Sequence, residues 1–515
     1  MSGKAANFQS ILFDPHGAMP VVERIEPPPF FRNLNLDQIV DGIVADREEY
    51  HLQALFYTRP GDMRHIVYRQ EIMHDLENPR LFESMKLFTT ALRTARRLAA
   101  AARTRRFQYQ REGCLLEAVA IYCVAIPKML QDLRSTEIMA RGLTAFRAYL
   151  EQYIQSAEFT TLTRDVETLQ AILSAIRYSI ILGEGKVTVR NYDSEIDYSE
   201  VVAAAFAKFK KGVAKDYRVK IADSPSMNHI EARILDRVAL LYPEAFAVLD
   251  TFYHTHQNFT DGIITTLERE IQFYLAWLEY EEKFKRTGLA FCHPRLSDVS
   301  KAISGRSSFD LALAGQLINR TTPVVCNDFE LCNMERIFVV SGPNQGGKTT
   351  FARMFGQLHY LANIGCNVPG KEARLFFFDR LFTHFELEEN SGSRHGKLQD
   401  DIIRMHQILQ AATPNSIVII NEIFSSTSLR DGISLGQKIL QHLTELDLLC
   451  VCVTFIDELS HLNEKIVSLV AAIAPENPTL RTYRLERRPA DGLAYAMALA
   501  EKHRVTYSWL KKRMK

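Results

Sequence analysis

Over residues 81–106 and 261–286 the chain reads LFESMKLFTTALRTARRLAAAARTRR and DGIITTLEREIQFYLAWLEYEEKFKR, with apolar residues three and four apart and charges between them. That spacing predicts long helices with one packed face. In the second stretch the stripe runs Ile263, Ile264, Leu267, Ile271, Tyr274, Leu275, Leu278. The pattern is mostly helical from about 35 to 320, with one interruption over 183–225. There GEGKVTVRNYD brings Gly183 and Gly185, then alternating Val187 and Val189, then a basic, helix-like stretch. This predicts a small strand-containing insertion at the tip of a helical arm. From about 321 onward, short apolar runs (RIFVVSG, LFFFD, SIVIINE, LLCVCVTF) alternate with helical segments. Such runs are typical strands of a parallel sheet buried on both faces, so this half is expected to be α/β.

Composition narrows the classes. A chain of 515 residues is long enough for two to four domains. It is 47% hydrophobic and 24% charged, a globular balance, and 62 Lys+Arg against 61 Asp+Glu excludes a polycation or an acidic tail. A nucleic-acid binder would have to gather its positive charge locally. The longest apolar candidate, Cys114 to Ile126, is interrupted by Glu117, so no membrane segment is expected. The opening MSGKAANFQS has no signal-peptide core. The eight Cys form no CxxC, and Cys450 and Cys452 alternate in an apolar run as buried strand thiols would. A reduced, cytoplasmic setting is expected.

The strand IFVVS runs into Gly342, Pro343, Asn344, Gln345, Gly346, Gly347, Lys348, Thr349 and Thr350, then into a helical pattern. This is GxxxxGK[ST] between a strand and a helix. Glycines let backbone N–H groups converge on a phosphate chain at a helix N-terminus. Lys348 then meets the β and γ phosphates, and the Thr349 hydroxyl suits Mg²⁺. ATP and Mg²⁺ are therefore the expected cofactors. Further on, SIVIINE ends in Asn421 and Glu422. Glu422 suits the base that polarises the attacking water. Asn421 stands where an Mg²⁺-holding Asp is wanted; it keeps an acceptor oxygen and loses the charge.

These residues resemble the MutS family of DNA mismatch-repair ATPases. SGPNQGGKTT is similar to that family's TGPNMGGKST. GCNVPG (Gly365, Val368, Pro369) is similar to GSYVPA, and Asp379–Thr383 to the start of DRIFTR. Thr427, Ser428, Asp431 and Gly432 in FSSTSLRDG fall where the family has GRGTSTYDG, and RPADGLAYAMALAEKHRV resembles the end of its ATPase domain. IQFYLAWLEYEEKFKRTGLAFCHPRLS resembles the end of the family's helical lever.

The resemblance implies an N-terminal arm (1–34), a helical core and lever (35–182 and 226–320), a clamp-like insertion (183–225) and an ABC-type P-loop ATPase domain (321–515). It implies a dimer, in which the signature loop, Ser393, Arg394, His395 and Gly396, reaches the partner's nucleotide. Double-stranded or branched DNA is the implied ligand, with nucleoid association when bound. The basic residues Lys208, Lys210, Lys211, Lys215, Arg218 and Lys220 fall where the clamp would touch it. A protein partner supplying mismatch recognition fits the same frame. The run Arg93, Arg96, Arg97, Arg103, Arg105 and Arg106 is as well explained by an exposed helix face.

Departures from the pattern qualify this. No GxFxE wedge motif occurs in the sequence. The Walker B Asp is Asn421, Gly396 stands near the signature Ser, and Phe455 occupies a switch position that is His in relatives with THYFEL. These leave nucleotide binding intact and argue against fast hydrolysis. Two other readings stay open: a non-repair clamp on branched DNA or ribosomal RNA, and a nucleotide-gated scaffold with little turnover. The isolated His293, His359 and His461 are expected to be packing or surface residues, and Phe30 and Phe31 to be core.

Overall fold

The computed structural model describes residues 8–18, 24–183, 185–194, 227–318, 320, 322–386, 396–424, 427–474, 477–490, 506–507 and 511. They fall into two compact units. Met1–Phe8, Pro79–Ile138 and Thr144–Glu268 form the first; Gln9–Asn78, Met139–Leu143 and Arg269–Lys515 form the second.

The first unit is built on the helices Pro79–Thr104 and Gln108–Ser135, joined by residues 105–107. Met85, Phe88, Leu92 and Ala95 are buried on one, and Leu115, Val119, Tyr122, Ile126 and Met129 on the other. Each large side chain so buried contributes roughly 1.5–3 kcal/mol. The helix Ala157–Ser174 starts where the Ser156 side chain accepts from the Phe159 amide, and it buries Phe159, Leu162, Val166 and Leu169. The helix His229–Leu241 opens with a reciprocal capping box between Asn228 and Glu231.

The helix Gln108–Ser135 is, by length and composition alone, apolar enough to cross a membrane. Glu117 and Lys128 are spaced widely enough that the stretch between and around them stays apolar on average. Yet 56% of the qualifying window is buried inside the protein, as in a core helix.

The expected insertion begins as an antiparallel hairpin, β1 (Tyr178–Gly183) and β2 (Lys186–Asn191), turning at Gly185 with φ +71°. Gly183 lies opposite Lys186, and Tyr178, Ile180, Ile181, Leu182 and Val187 are exposed. Lys208, Lys210, Lys211, Lys215, Arg218 and Lys220 lie outside the described residues.

The second unit holds twelve strands among its described residues: β3 (Phe291–Cys292), β4 (Arg295–Ser297), β5 (Ile303–Ser308), β6 (Asn327–Leu331), β7 (Ile337–Ser341), β8 (Val368–Pro369), β9 (Glu372–Phe376), β10 (Leu381–Phe385), β11 (Ile417–Asn421), β12 (Leu449–Val453), β13 (Ile466–Ala474) and β14 (Asn477–Arg487). The main sheet has the order β10-β11-β12-β7-β13-β14, parallel except for the antiparallel β14. A four-stranded sheet has the order β4-β9-β5-β6, and β3 pairs with β8.

The central strands are apolar on both faces because both are covered. Val418, Ile420, Cys450, Cys452, Ile337 and Val339 pack with Met405, Leu440 and Leu443 from the helices Lys397–Ala411 and Leu429–Glu445. On the other face, Phe338 meets Phe351 and Phe355 of the helix Lys348–Asn363 edge to face.

Two strand assignments differ from the sequence reading. LFFFD does not enter the main sheet; its first residues end β9, and Leu381–Phe385 supplies the edge strand instead. The stretch after EEKFKR does not continue a helical lever. The helix Gly262–Lys285 is closed by Gly288 at φ +88°, with Leu289 N–H donating to Phe284 O, and strands follow from Phe291. In that helix Ile264 and Leu267 keep to one stripe, whereas Ile271–Trp277 is buried all round.

Gln9–Asn78 belong to the same unit as the main sheet. Phe31 is fully buried, its ring edge-on to Tyr57 and Tyr360, and Phe30 is half-buried beside it. Gln357, also fully buried, donates to Leu34 O and Asp310 Oδ1 and accepts from Leu311 N–H. The helix that starts at the glycine-rich loop is thereby fixed along its length.

Candidate active site

Strand β7 ends at Ser341, and the chain turns through residues 342–347 into the helix Lys348–Asn363. Two glycines are demanded by geometry. Gly342 has φ +109° and a Cβ there would stand 3.0 Å from Ala471 N; Gly347 has φ +93° at the helix N-cap. The helix therefore opens with amides free of a side-chain cap, a suitable end for an anion.

Lys348 is 4% exposed. Its ammonium donates to Gly342 O at 2.8 Å and to Pro343 O at 3.3 Å, and stands 4.2 Å from the centroid of the Phe455 ring. Burial lowers its pKa to about 8, while Glu422 and Asp457 pull the other way. Phe455, half-exposed, thus takes up the lysine charge on its ring face. That contact was not legible from the switch-position comparison, which showed only that an imidazole was missing.

The Thr349 hydroxyl donates to Asn421 Oδ1 at 2.9 Å. The two residues proposed for Mg²⁺ therefore meet, one hydroxyl and one amide oxygen, and a hard cation accepts both. Glu422 follows at φ +58°, a sparsely populated conformation for a non-glycine residue, with its N–H bonded to Val453 O. Burial raises its carboxyl pKa, and the Lys348 charge opposes that rise. The Thr349 hydroxyl and the Asn421 amide oxygen are oxygen donors of the kind Mg²⁺ takes, and so fit it.

These groups border a cavity of about 460 Å³. Asn344–Thr350 and Glu422 line one side; Leu313, Leu317, Pro323, Val325 and Tyr483 line the other. Phosphates suit the first wall and a flat base the second. Tyr483 has φ +58° and is held from behind by Asn327, whose Nδ2 donates to Tyr483 O and whose Oδ1 accepts from Leu485 N–H. Arg481 Nε donates to Asn344 O at 3.1 Å, tying β14 to the loop. None of these second-wall residues carries a motif; only the fold brings them to the loop.

Other expected residues are placed as follows. Gly396 is described, as the N-cap of the helix Lys397–Ala411, with open space where a Cβ would stand. Ser393, Arg394 and His395 lie outside the described residues. Arg96 is bonded to the buried Glu268 at 3.1 Å, so part of the arginine run is structural. His359 is buried, with Nδ1 at 2.8 Å from Phe355 O, and burial lowers its pKa to about 4, as packing requires. His461 is exposed on a short turn.

Restoring the missing charge tests the metal assignment. Asn421→Asp is expected to lower the Mg²⁺ concentration for half-maximal ATP turnover by about threefold to tenfold, on the order of 1 kcal/mol. A magnesium titration that gives the same midpoint for both proteins shows that another carboxylate already supplies the charge.

The MutS domain V family matches residues 338–505. The DNA mismatch repair protein MSH3 of Eremothecium gossypii is 29% identical over 259 residues, 43% of this chain and 23% of that protein. DNA mismatch repair protein MutS of Halalkalibacterium halodurans is 34% identical over 119 residues, 23% of this chain and 14% of that protein. MutS of Orientia tsutsugamushi (strain Boryong) is 32% identical over 183 residues, 35% of this chain and 20% of that protein. The chain thus spans less than a quarter of the length of these curated relatives.

Proposed function

We propose, from a chain whose residues 338–505 match the MutS domain V family, that the protein is an ATP-gated DNA-binding ATPase that works as a dimer. The observation that carries this is the convergence of Lys348, Thr349 and Glu422 on one cavity with apolar lining, with Asn421 bonded to Thr349 at its edge. Leu313, Pro323 and Tyr483 receive the base. The loop amides and Lys348 hold the phosphate chain. Mg²⁺, when bound at Thr349 and Asn421, neutralises charge on the β and γ phosphates. Glu422, its carboxyl raised by burial, takes the proton of the attacking water. In the dimer the signature loop, of which Gly396 is the described member, contributes to the partner's nucleotide site, so that ATP links two copies around DNA.

A second reading, a nucleotide-gated scaffold with slow turnover, rests on two observations. Asn421 offers a neutral oxygen where a carboxylate binds Mg²⁺ more tightly, and Phe455 rather than an imidazole abuts Lys348. Both weaken hydrolysis more than binding.

A binding panel identifies the nucleic acid. The protein with ATP and Mg²⁺ is titrated with a single-mismatch duplex, its paired control, a four-way junction and structured ribosomal RNA. DNA is expected to bind with a steep salt dependence, since phosphate neutralisation releases counterions. The mismatched and paired duplexes are expected within about threefold of each other, under ~1 kcal/mol. The sequence contains no GxFxE wedge to exploit a poorly stacked step. A tenfold mismatch preference points to an unrecognised reading element. Binding confined to the RNA overturns the DNA assignment.

A further inference from the structure

The end of the helix Met63–Asp75 and the turn between β3 and β4 bring together three side chains remote in sequence from the nucleotide loop. His74 lies in the last turn of that helix, and Glu77 follows three residues later on the same side. His74 Nδ1 is 3.5 Å from Glu77 Oε2, and His293 Nε2 is 2.9 Å from Glu77 Oε1. The two imidazole rings stand edge to face, 5.2 Å apart. A nitrogen from each histidine and a carboxylate oxygen all lie within 4.8 Å of one another. A tetrahedral ion about 2.0–2.1 Å from each ligand needs ligand atoms roughly 3.3–3.4 Å apart. His293 Nε2 lies 2.9 Å from Glu77 Oε1 and His74 Nδ1 lies 3.5 Å from Glu77 Oε2, so each histidine stands near that distance from one oxygen of the shared carboxylate.

The arrangement is also braced. Gln70, on the same helix, donates from Nε2 to Pro294 O at 3.0 Å, so the turn carrying His293 is fastened to the helix carrying His74. The Glu77 amide donates to His74 O at 3.1 Å, which fixes the spacing of the other pair. Side-chain exposures of 70% for His74, 37% for Glu77 and 32% for His293 let an ion enter without unfolding.

We propose that His74, Glu77 and His293 form a site for a divalent transition cation, best matched by Zn²⁺, that staples the helix Met63–Asp75 to the β3–β4 turn. Two imidazole nitrogens and one carboxylate suit zinc and its neighbours, with a fourth position left to water. Mg²⁺ prefers an octahedron of oxygens and is excluded by the same donors. The site is therefore chemically distinct from the cation that accompanies ATP.

The test is equilibrium dialysis of the metal-free full-length protein against Zn²⁺, compared with the double variant His74→Gln/His293→Gln. The parent is expected to bind one more Zn²⁺ per chain than the variant, and each single substitution to weaken binding at least tenfold. Millimolar Mg²⁺ and Lys348→Ala are expected to leave it unchanged. Co²⁺ at the site gives the visible absorption of a tetrahedral ion, lost in the double variant. Zn²⁺ is also expected to raise the parent's melting temperature and not the variant's. If the double variant melts early without metal, Glu77→Gln, which keeps the side-chain shape, gives the same comparison. Equal zinc stoichiometry in parent and variants, or zinc displaced by millimolar Mg²⁺, overturns the proposal.

Discussion

Lys348→Ala is expected to weaken ATP binding by about a hundredfold, roughly 2.7 kcal/mol. The ammonium is the positive side chain that the glycine-rich loop itself contributes to the cavity, and it is 4% exposed. A charged hydrogen bond in such a site is worth about 1.5–3 kcal/mol. The substitution is not expected to unfold the protein. It removes a charge that burial already disfavours, and the carbonyls it leaves are those of Gly342 and Pro343 in the loop. A protonation signature accompanies this. With a pKa of about 8, part of the Lys348 population is neutral at pH 8, and the phosphates favour the charged form. ATP binding at that pH is therefore expected to take up protons, and affinity to fall as pH rises through 8. Calorimetry in buffers of different ionisation enthalpy reads the uptake, which Lys348→Ala abolishes. An affinity within threefold of the parent contradicts the assignment.

Glu422→Gln is expected to slow hydrolysis by about a hundredfold or more while leaving ATP affinity nearly unchanged. The amide keeps the shape of the side chain and cannot accept the water's proton. Because ATP that is not consumed goes on stabilising the state that binds it, the variant is expected to accumulate as a dimer at saturating ATP and Mg²⁺. Sedimentation that shows a monomer under those conditions counts against a site shared between two copies. Turnover within about threefold of the parent counts against Glu422 as the base.

The first wall of the site was legible because its chemistry is local. A strand, a glycine-rich turn and a helix follow one another in the chain, so Gly342, Gly347, Lys348 and Thr349 announce themselves within a few residues. The apolar strands β7, β11 and β12 were legible for the same reason, since burial on both faces leaves an unbroken apolar run. The second wall was not. Leu313, Asn327 and Tyr483 come from the helix Leu311–Leu317, from β6 and from β14, and Tyr483 meets the loop only because β14 lies beside β13 and β13 beside β7. LFFFD misled because an apolar run reports burial and not which sheet buries it; β9 belongs to the four-stranded sheet. Nor did local pattern show that Asn33 and Leu34 pack on the helix Lys348–Asn363, where Arg353 donates to Asn33 O and Gln357 to Leu34 O. The pairing of His74 with His293 was hidden in the same way by distance along the chain.

The central claim is that ATP at this site governs the grip on DNA, and one measurement addresses it directly. Dissociation of a fluorescent duplex is followed with and without ATP and Mg²⁺, in the parent and in Lys348→Ala. The account predicts that ATP changes the dissociation rate of the parent by at least tenfold and leaves the variant's rate unmoved. Equal rates for the parent with and without ATP, under conditions where ATP is shown to be bound, would contradict it.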